Sequence, residues 1–122
     1  MNLSTQQLTI SVPITEANRI KASNFAQEQS DSEKAKQVYH NTLAVLVTNN
    51  YLQMLDVSTS LQHSYSWNAV ARVSTDIADL NVPLIGHLEC RPILDSEDTC
   101  YFPKDTWNNR IGYVVVQFDK SY

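Results

Sequence analysis

Alternating apolar and polar positions predict a strand near the N-terminus, and wider spacing predicts a helix after it. Between Leu8 and Ile14 every second residue is apolar, which is typical of a half-buried strand. Thr15 is suited to cap a helix whose first turn holds Glu16, and a loose apolar stripe continues this helix to Gln29. We therefore predict a short strand followed by a weakly amphipathic helix.

The segment after Ser30 carries the clearest helical pattern. Ser30 and Glu33 form a capping-box pattern, and apolar residues then recur at helical spacing as far as Met54. The middle of this segment, Leu43–Val47, is apolar on every side, so we expect it to be covered on several sides and to form the core. A buried strand over Thr42–Val47 stays open as an alternative, because short apolar runs fit either structure.

The C-terminal half alternates with a period of two and predicts a sheet. We predict strands over Asp76–Val82 and Gly86–Leu94, antiparallel to each other and joined through Pro83–Gly86. Pro92 cannot donate a backbone hydrogen bond, so it marks a strand end, a bulge or an edge. The segment Ile111–Asp119 is apolar on both faces, which predicts a strand that is central or covered on both sides.

Polar and turn-forming residues predict the connections. Residues 58–66 are rich in Ser and Thr and predict a loop, and Ser66 is expected to cap a short helix over residues 67–73. Residues 100–102 are expected to extend a strand, and Pro103 suits the first position of a short helix that ends at Trp107. The fold class is therefore α+β: an N-terminal strand, two helices with a long central one, and a mainly antiparallel sheet of three to four strands, in one domain over residues 1–122.

Composition and charge narrow the function classes. Hydrophobic residues make up 43% and charged residues 18% of the 122, which argues against a disordered chain or a membrane-spanning protein. The polar N-terminus lacks the features of a secretory signal, so we expect a cytoplasmic protein. The formal net charge is −4, and most of the excess acid lies between Asp56 and Asp98. This distribution disfavours nucleic-acid binding and favours a basic protein partner.

Several side chains are candidates for metal binding or acid–base catalysis. A metal site built from His87, Glu89, Cys90 and Cys100 is disfavoured, because strand alternation puts Cys90 on the face opposite His87 and Glu89. We expect both cysteines to be reduced packing residues, with a disulfide left open. Glu89 and Asp79 could face each other across two strands as an acid–base pair, but carboxylates on a wet sheet face are more often solvated or paired. We therefore expect no cofactor.

The two tryptophans are the first candidates for an interface. Trp67 and Trp107 both sit in polar surroundings, where a large ring covers the edge of the core or anchors a partner. With the charged residues of the predicted strands they make up a predicted partner interface, which consists of Trp67, Asp79, His87, Glu89, Arg91 and Trp107.

Several segments, in this order and spacing, resemble a cyanobacterial family, domain-of-unknown-function family 1822, from about Leu8 to Asp119: Ala35–Tyr39, Asn41–Val45, Ser66–Asn68, Ala78–Leu80, Leu88–Pro92 and Arg110–Val114. The resemblance implies no activity, cofactor or catalytic residue. It does imply a cyanobacterial cytoplasm and, because members are often encoded near alternative sigma factors, a regulatory protein partner. Typical members continue beyond the last strand, so we expect either the N-terminal part of a longer protein or a naturally short member.

Two functional hypotheses follow. The first is a non-catalytic protein–protein interaction module, with regulation of an alternative sigma factor as one role. The second is a small enzyme that uses Glu89 or Cys90 in a pocket completed by a missing C-terminal region. A strand that ends so close to the C-terminus is also expected to leave an edge exposed, through which two copies of the chain could pair.

Overall fold

Helices form the first part of the chain and a mixed sheet forms the second. The structure is a computed structural model that describes residues 9–94 and 99–119. Its helices are α1 (Glu16–Gln27), α2 (Ser32–Met54) and α3 (Ala69–Ser74), and its strands are β1 (Asp79–Val82), β2 (Gly86–Ile93) and β3 (Gly112–Gln117). Short 3₁₀ turns lie at Tyr65–Trp67 and Lys104–Thr106. The predicted α+β class is therefore confirmed. None of the helices in these ranges is apolar over a length that could cross a membrane.

The first helix begins where the sequence predicts. Thr15 Oγ1 accepts a hydrogen bond from the backbone N–H of Asn18, and Asn18 Oδ1 accepts one from the backbone N–H of Thr15, which completes a capping box. The strand predicted over Leu8–Ile14 is not confirmed: residues 9–14 have no regular secondary structure, and Leu8 lies outside the described residues. The alternation has another cause at its end, where Ile14 packs against the core without pairing with a strand.

The long second helix contains the centre of the core. All five residues of Leu43–Val47 are buried within α2, so the helical prediction is confirmed and the strand alternative is wrong. The N-cap lies one residue later than predicted, because the Asp31 carboxylate rather than Ser30 accepts a hydrogen bond from the backbone N–H of Lys34. The buried core cluster comprises Ala22, Leu43, Ala44, Val45, Ala78, Leu80, Cys90 and Phe118.

The sheet has the order β1-β2-β3 and mixed polarity. Strands β1 and β2 form the predicted antiparallel pair, in which Leu80 lies opposite Leu88. Strands β2 and β3 are parallel, with Cys90 opposite Val114, so the sheet is not mainly antiparallel. The prediction that the last strand is central is wrong: β3 lies at an edge, and its residues alternate between half-buried and exposed. Its apolar character on both faces therefore does not mean burial on both faces.

Local structure differs from the sequence-based prediction at two places and resolves an open alternative at a third. Asn68 rather than Ser66 caps α3, through a hydrogen bond from the backbone N–H of Ala71 to its side chain. Residues 100–102 do not extend a strand, and the turn after Pro103 is 3₁₀. Pro92 lies inside β2 on the side where β1 has already ended, since the N–H of Cys90 bonds to the carbonyl of Ala78 just before β1. Pro92 therefore lies near the end of the central strand, at a point where its missing N–H faces no neighbouring strand, and the strand-end alternative is the correct one.

Candidate functional site

The face of the sheet that carries Asp79 and Glu89 is covered. The two residues lie opposite each other in the register of β1 and β2, as predicted, but both are fully buried instead of solvent-exposed. The expectation of a wet sheet face is therefore wrong. The 3₁₀ turn at Tyr65–Trp67 covers Asp79, and the side chain of Arg110 covers Glu89.

Asp79 fastens the covering turn to the sheet. Its carboxylate accepts hydrogen bonds from the backbone N–H of Tyr65 at 2.9 Å, from the backbone N–H of Ser66 at 2.7 Å and from Nδ1 of His87 at 2.7 Å. Its own backbone carbonyl accepts from Ser66 Oγ at 2.6 Å. The His87 ring stacks on Tyr65 with a centroid separation of 5.2 Å and an interplanar angle of 17°. Every carboxylate oxygen of Asp79 is therefore engaged within the fold.

Glu89 is the centre of a second buried network. Its Oε2 accepts from the backbone N–H of Ala78 at 2.8 Å and from Nη1 of Arg91 at 3.1 Å, and its Oε1 accepts from Nε of Arg110 at 3.0 Å. Arg91 also donates to the carbonyl and the carboxylate of Asp76, at 2.6 Å and 3.1 Å. In the part of the chain that the structure describes, no buried side-chain polar atom lacks a hydrogen-bond partner. These charges are thus neutralised inside the protein.

Cys90 lies on the opposite face of β2, in the apolar core under α2. It is fully buried, and this burial raises the pKa of its thiol to about 12, with the charges of Glu89 and Asp79 acting in the same direction. Since the thiolate is the nucleophilic form, this position does not favour attack on a substrate. Cys100 is half-buried, and neither cysteine forms a disulfide. Within the described ranges, no three His, Cys, Asp or Glu side chains are grouped to hold a metal ion.

One open groove of about 460 Å³ lies between the N-terminal half of α2 and the end of β2. Several of its polar groups are engaged within the fold: Lys34 Nζ donates to the carbonyl of Thr75 and to Gln37 Oε1, both at 2.6 Å, and Asn41 Nδ2 donates to Asp76 Oδ1 at 2.7 Å. Burial lowers the pKa of Lys34, although nearby Asp76 acts against this. The central polar groups of the groove therefore bind each other.

The outer edge of β1 is closed by a serine-rich segment. The backbone N–H of Ser60 donates to the carbonyl of Asn81 at 2.9 Å, and the backbone N–H of Asn81 donates to Ser64 Oγ at 2.8 Å. Ser66 Oγ adds its bond to the carbonyl of Asp79. Ser60, Ser64 and Ser66 thus take the place of a neighbouring strand along this edge.

The outer edge of β3 is not covered by any of the residues that the structure describes. The N–H of Phe118 donates to the carbonyl of Ile93, so the even-numbered residues of β3 turn their backbone polar groups toward β2. By alternation, the N–H and C=O groups of Tyr113, Val115 and Gln117 point away from the sheet. None of the described residues pairs with them. The side chains of Tyr113 and Val115 are 44% and 50% exposed, so this edge is also apolar on one face.

The predicted partner interface is dispersed over different environments. Trp107 is 62% exposed and is held by a hydrogen bond from its Nε1 to the carbonyl of Phe102. Trp67 covers the edge of the core, where it meets Phe25 edge-on at 5.1 Å. Of the other predicted residues, His87 is half-buried, and the buried ones are Asp79, Glu89 and Arg91.

Sequence reasoning missed the groups that bury these charges. Arg110, Tyr65 and Ser66 lie 13 to 21 residues away from the carboxylates they bind. No local pattern identifies such partners. For the last strand the sequence supports two expectations: the apolar residues Tyr113 and Val115 predict burial on both faces, which is wrong, whereas the expected exposed edge agrees with the described residues.

Comparison with known proteins identifies one family. The family described as "Protein of unknown function (DUF1822)" matches residues 12–122. No curated protein and no solved structure matches the chain. Because the match covers nearly the whole sequence, the chain belongs to the DUF1822 family of proteins of unknown function.

Proposed function

We propose that the protein is a non-catalytic protein–protein interaction module that pairs an extended segment of another polypeptide with β3. The observation that carries the proposal is the outer edge of β3, which residues 9–94 and 99–119 leave uncovered, with the backbone groups of Tyr113, Val115 and Gln117 turned outward. Addition of a strand to such an edge is a common mode of peptide recognition, in which backbone hydrogen bonds supply affinity and alternate side chains supply specificity.

The edge lacks the features by which proteins usually block unwanted pairing. Natural edge strands carry charged side chains, proline or bulges that prevent pairing with other chains. Between Gly112 and Gln117 there is no charged residue and no proline, and the register with β2 runs without a bulge. At the other edge of the same sheet, serine side chains and backbone close β1. The contrast between the two edges supports a binding role for β3.

The side chains beside the open edge are held in place before a partner arrives. The Tyr113 ring meets Phe102 edge-on at 5.2 Å, and its hydroxyl donates to the carbonyl of Thr106 at 2.5 Å. A ring held by a packing contact and by its hydroxyl loses little conformational freedom on binding, which favours affinity. Exposed Val115 follows on the same face, so an incoming strand meets a short apolar surface beside the hydrogen-bonding groups.

The arrangement of charges also bears on the partner and on catalysis. Asp79 is buried in hydrogen bonds and Glu89 in ion pairs with two arginines, so neither carboxylate presents its charge to a basic partner. Recognition of a partner through strand pairing is therefore the better-supported mode. The enzyme hypothesis names Glu89 and Cys90. Both side chains are fully buried, so neither is accessible to a substrate as an acid, a base or a nucleophile. A cyanobacterial cytoplasmic protein that acts on a sigma factor stays a prediction from the family resemblance.

The test is affinity purification from cell extract with three matched baits. The wild-type chain is compared with Val115→Lys, which puts a charge on the open edge, and with Val73→Lys, which makes the same change at an apolar position on α3 that is 58% exposed. A partner retained by wild type and Val73→Lys, and lost from Val115→Lys, supports the proposal. A specific partner that Val115→Lys retains in full would show that binding occurs elsewhere on the surface.

A further inference from the structure

We propose that the segment which pairs with β3 is β3 of a second copy, so that two chains form a two-fold dimer with one continuous six-stranded sheet. This inference rests on the proposed function, because it names the partner of the same edge. It follows from three observations: the chemistry of the strand itself, the spacing of its outward backbone groups, and the exposed side chains on one face.

The chemistry of β3 matches the edge that it would fill. An edge without charges is best paired with an uncharged strand of high β-propensity, because a charged partner strand would lose hydration without gaining an ion pair. Strand β3 is Gly-Tyr-Val-Val-Val-Gln from residue 112 to residue 117, and it contains no ionisable group apart from the tyrosine hydroxyl. The other two strands of the described sheet carry charges, namely Asp79 in β1 and Glu89 and Arg91 in β2.

The outward backbone groups have the symmetry that a two-fold dimer needs. Tyr113 and Gln117 lie two residues before and two residues after Val115. In an antiparallel pair centred there, Val115 lies opposite Val115 of the second copy, and Tyr113 lies opposite Gln117. Each of the three pairs exchanges two N–H···O=C bonds, so all the outward groups of both strands are satisfied. Such an interface is self-complementary and closed, which stops the association at two copies.

The same register places exposed side chains beside each other. A two-fold axis perpendicular to the sheet keeps outer faces together, so the Val115 side chains of the two copies touch at the centre and each Tyr113 lies toward the end of the interface. β-branched pairs at directly opposed positions stabilise a sheet by a fraction of a kcal/mol to about 1 kcal/mol each. Because one strand pair buries less than a standard interface, we expect association in the micromolar to sub-millimolar range, on the order of 10 to 500 µM.

The experiment is sedimentation velocity of the whole chain from about 5 to about 500 µM, the range in which an interface of this size should associate. The wild type should shift from monomer to dimer across this range. Val115→Lys and Val115→Glu, each placing like charges opposite each other at the axis, should each weaken association by about tenfold or more. An equimolar mixture of these two variants should restore dimerisation, because Lys and Glu then face each other. Val73→Lys should associate like wild type.

The outcomes separate this inference from the proposed function. A wild-type chain that stays monomeric at the highest concentration overturns the dimer. A dimer that Val115→Lys does not weaken places the contact elsewhere, and a mixture that fails to restore association refutes the register centred on Val115. If the chain is monomeric and still captures a partner in a way that Val115→Lys abolishes, the dimer fails while the interaction module stands. Circular dichroism of each variant shows that it is folded, and half-exposed Val115 gives the new side chains room to reach water.

Discussion

Replacing Glu89 by Gln tests whether the buried ion network stabilises the fold. The substitution keeps the size of the side chain and removes its charge. In the wild type the carboxylate accepts from the backbone N–H of Ala78 and from the guanidinium groups of Arg91 and Arg110. The side chain of Glu89 is fully buried, and those of the two arginines are each 5% exposed. Solvent therefore cannot replace the lost charge.

The expected loss follows from what remains after the substitution. Arg91 keeps its second carboxylate, Asp76, but among the described residues Arg110 has no other ion-pair partner. Breaking a buried ion pair by removing one partner typically costs about 3–5 kcal/mol. The amide NH₂ of Gln also faces donors on one side of the old carboxylate, which adds an unsatisfied polar group. Against a typical domain stability of about 5–15 kcal/mol, we expect a loss of about 3–5 kcal/mol.

The assay is urea unfolding followed by circular dichroism, with the free energy taken from the midpoint and slope of the transition. Glu28→Gln is the matched control, since Glu28 pairs with Arg72 at 2.8 Å but its side chain is 44% exposed. An exposed pair of this kind is worth about 0–1 kcal/mol. If Glu89→Gln cost no more than this control, the network would not have the stabilising role assigned to it, and the covering segments would be held by apolar contacts.

The remaining predictions concern a glycine and the buried thiol. Gly86→Ala should destabilise the fold by about 1–3 kcal/mol, because Gly86 has φ +145° and a Cβ there would lie 2.6 Å from Cγ2 of Ile111. Gly112→Ala is the control, since its Cβ would lie 3.3 Å from Cδ2 of Leu88, and it should destabilise the fold less in the same urea unfolding assay. Equal losses would contradict the steric argument. Cys90 should react with iodoacetamide only in denaturant. Its pKa rises from 9.0 to about 12 on folding, so the unfolded chain loses the proton first, and stability should fall as pH rises from 9 toward 12 relative to Cys90→Ala. Parallel pH profiles for the two proteins would refute this.

The elements that could be predicted from the sequence are those fixed by neighbours along the chain. The N-cap at Thr15 and the apolar spacing through Leu43 determine the first two helices, because both signals act within a few residues. The hairpin of β1 and β2 is predicted by alternation on either side of the turn that begins at Pro83. The burial of Cys90 follows from the same alternation. These predictions needed no knowledge of the distant partners.

The features that could not be predicted depend on segments far apart in sequence. An acidic residue that alternates with apolar ones indicates a solvent-facing side of a strand. Burial of Glu89 and Asp79 is stable because the distant Arg110 and the turn at Tyr65 donate hydrogen bonds to their carboxylates. The position of β3 depends on the crossover from the end of β2 back to its beginning. Neither periodicity nor composition reports which strand lies outermost, so an apolar edge strand and a central strand look alike in sequence.

The buried network and the open edge belong to one arrangement. Arg110 precedes β3 directly, and its ion pair with Glu89 ties the beginning of that strand to β2, where the N–H of Ile111 also donates to the carbonyl of His87. A strand fixed along one side presents its outward hydrogen-bonding groups in register before any partner is bound. Such preorganisation lowers the entropic cost of strand addition. On the proposed function, the charges near β3 act on binding indirectly, by holding the edge in a form that another strand can join.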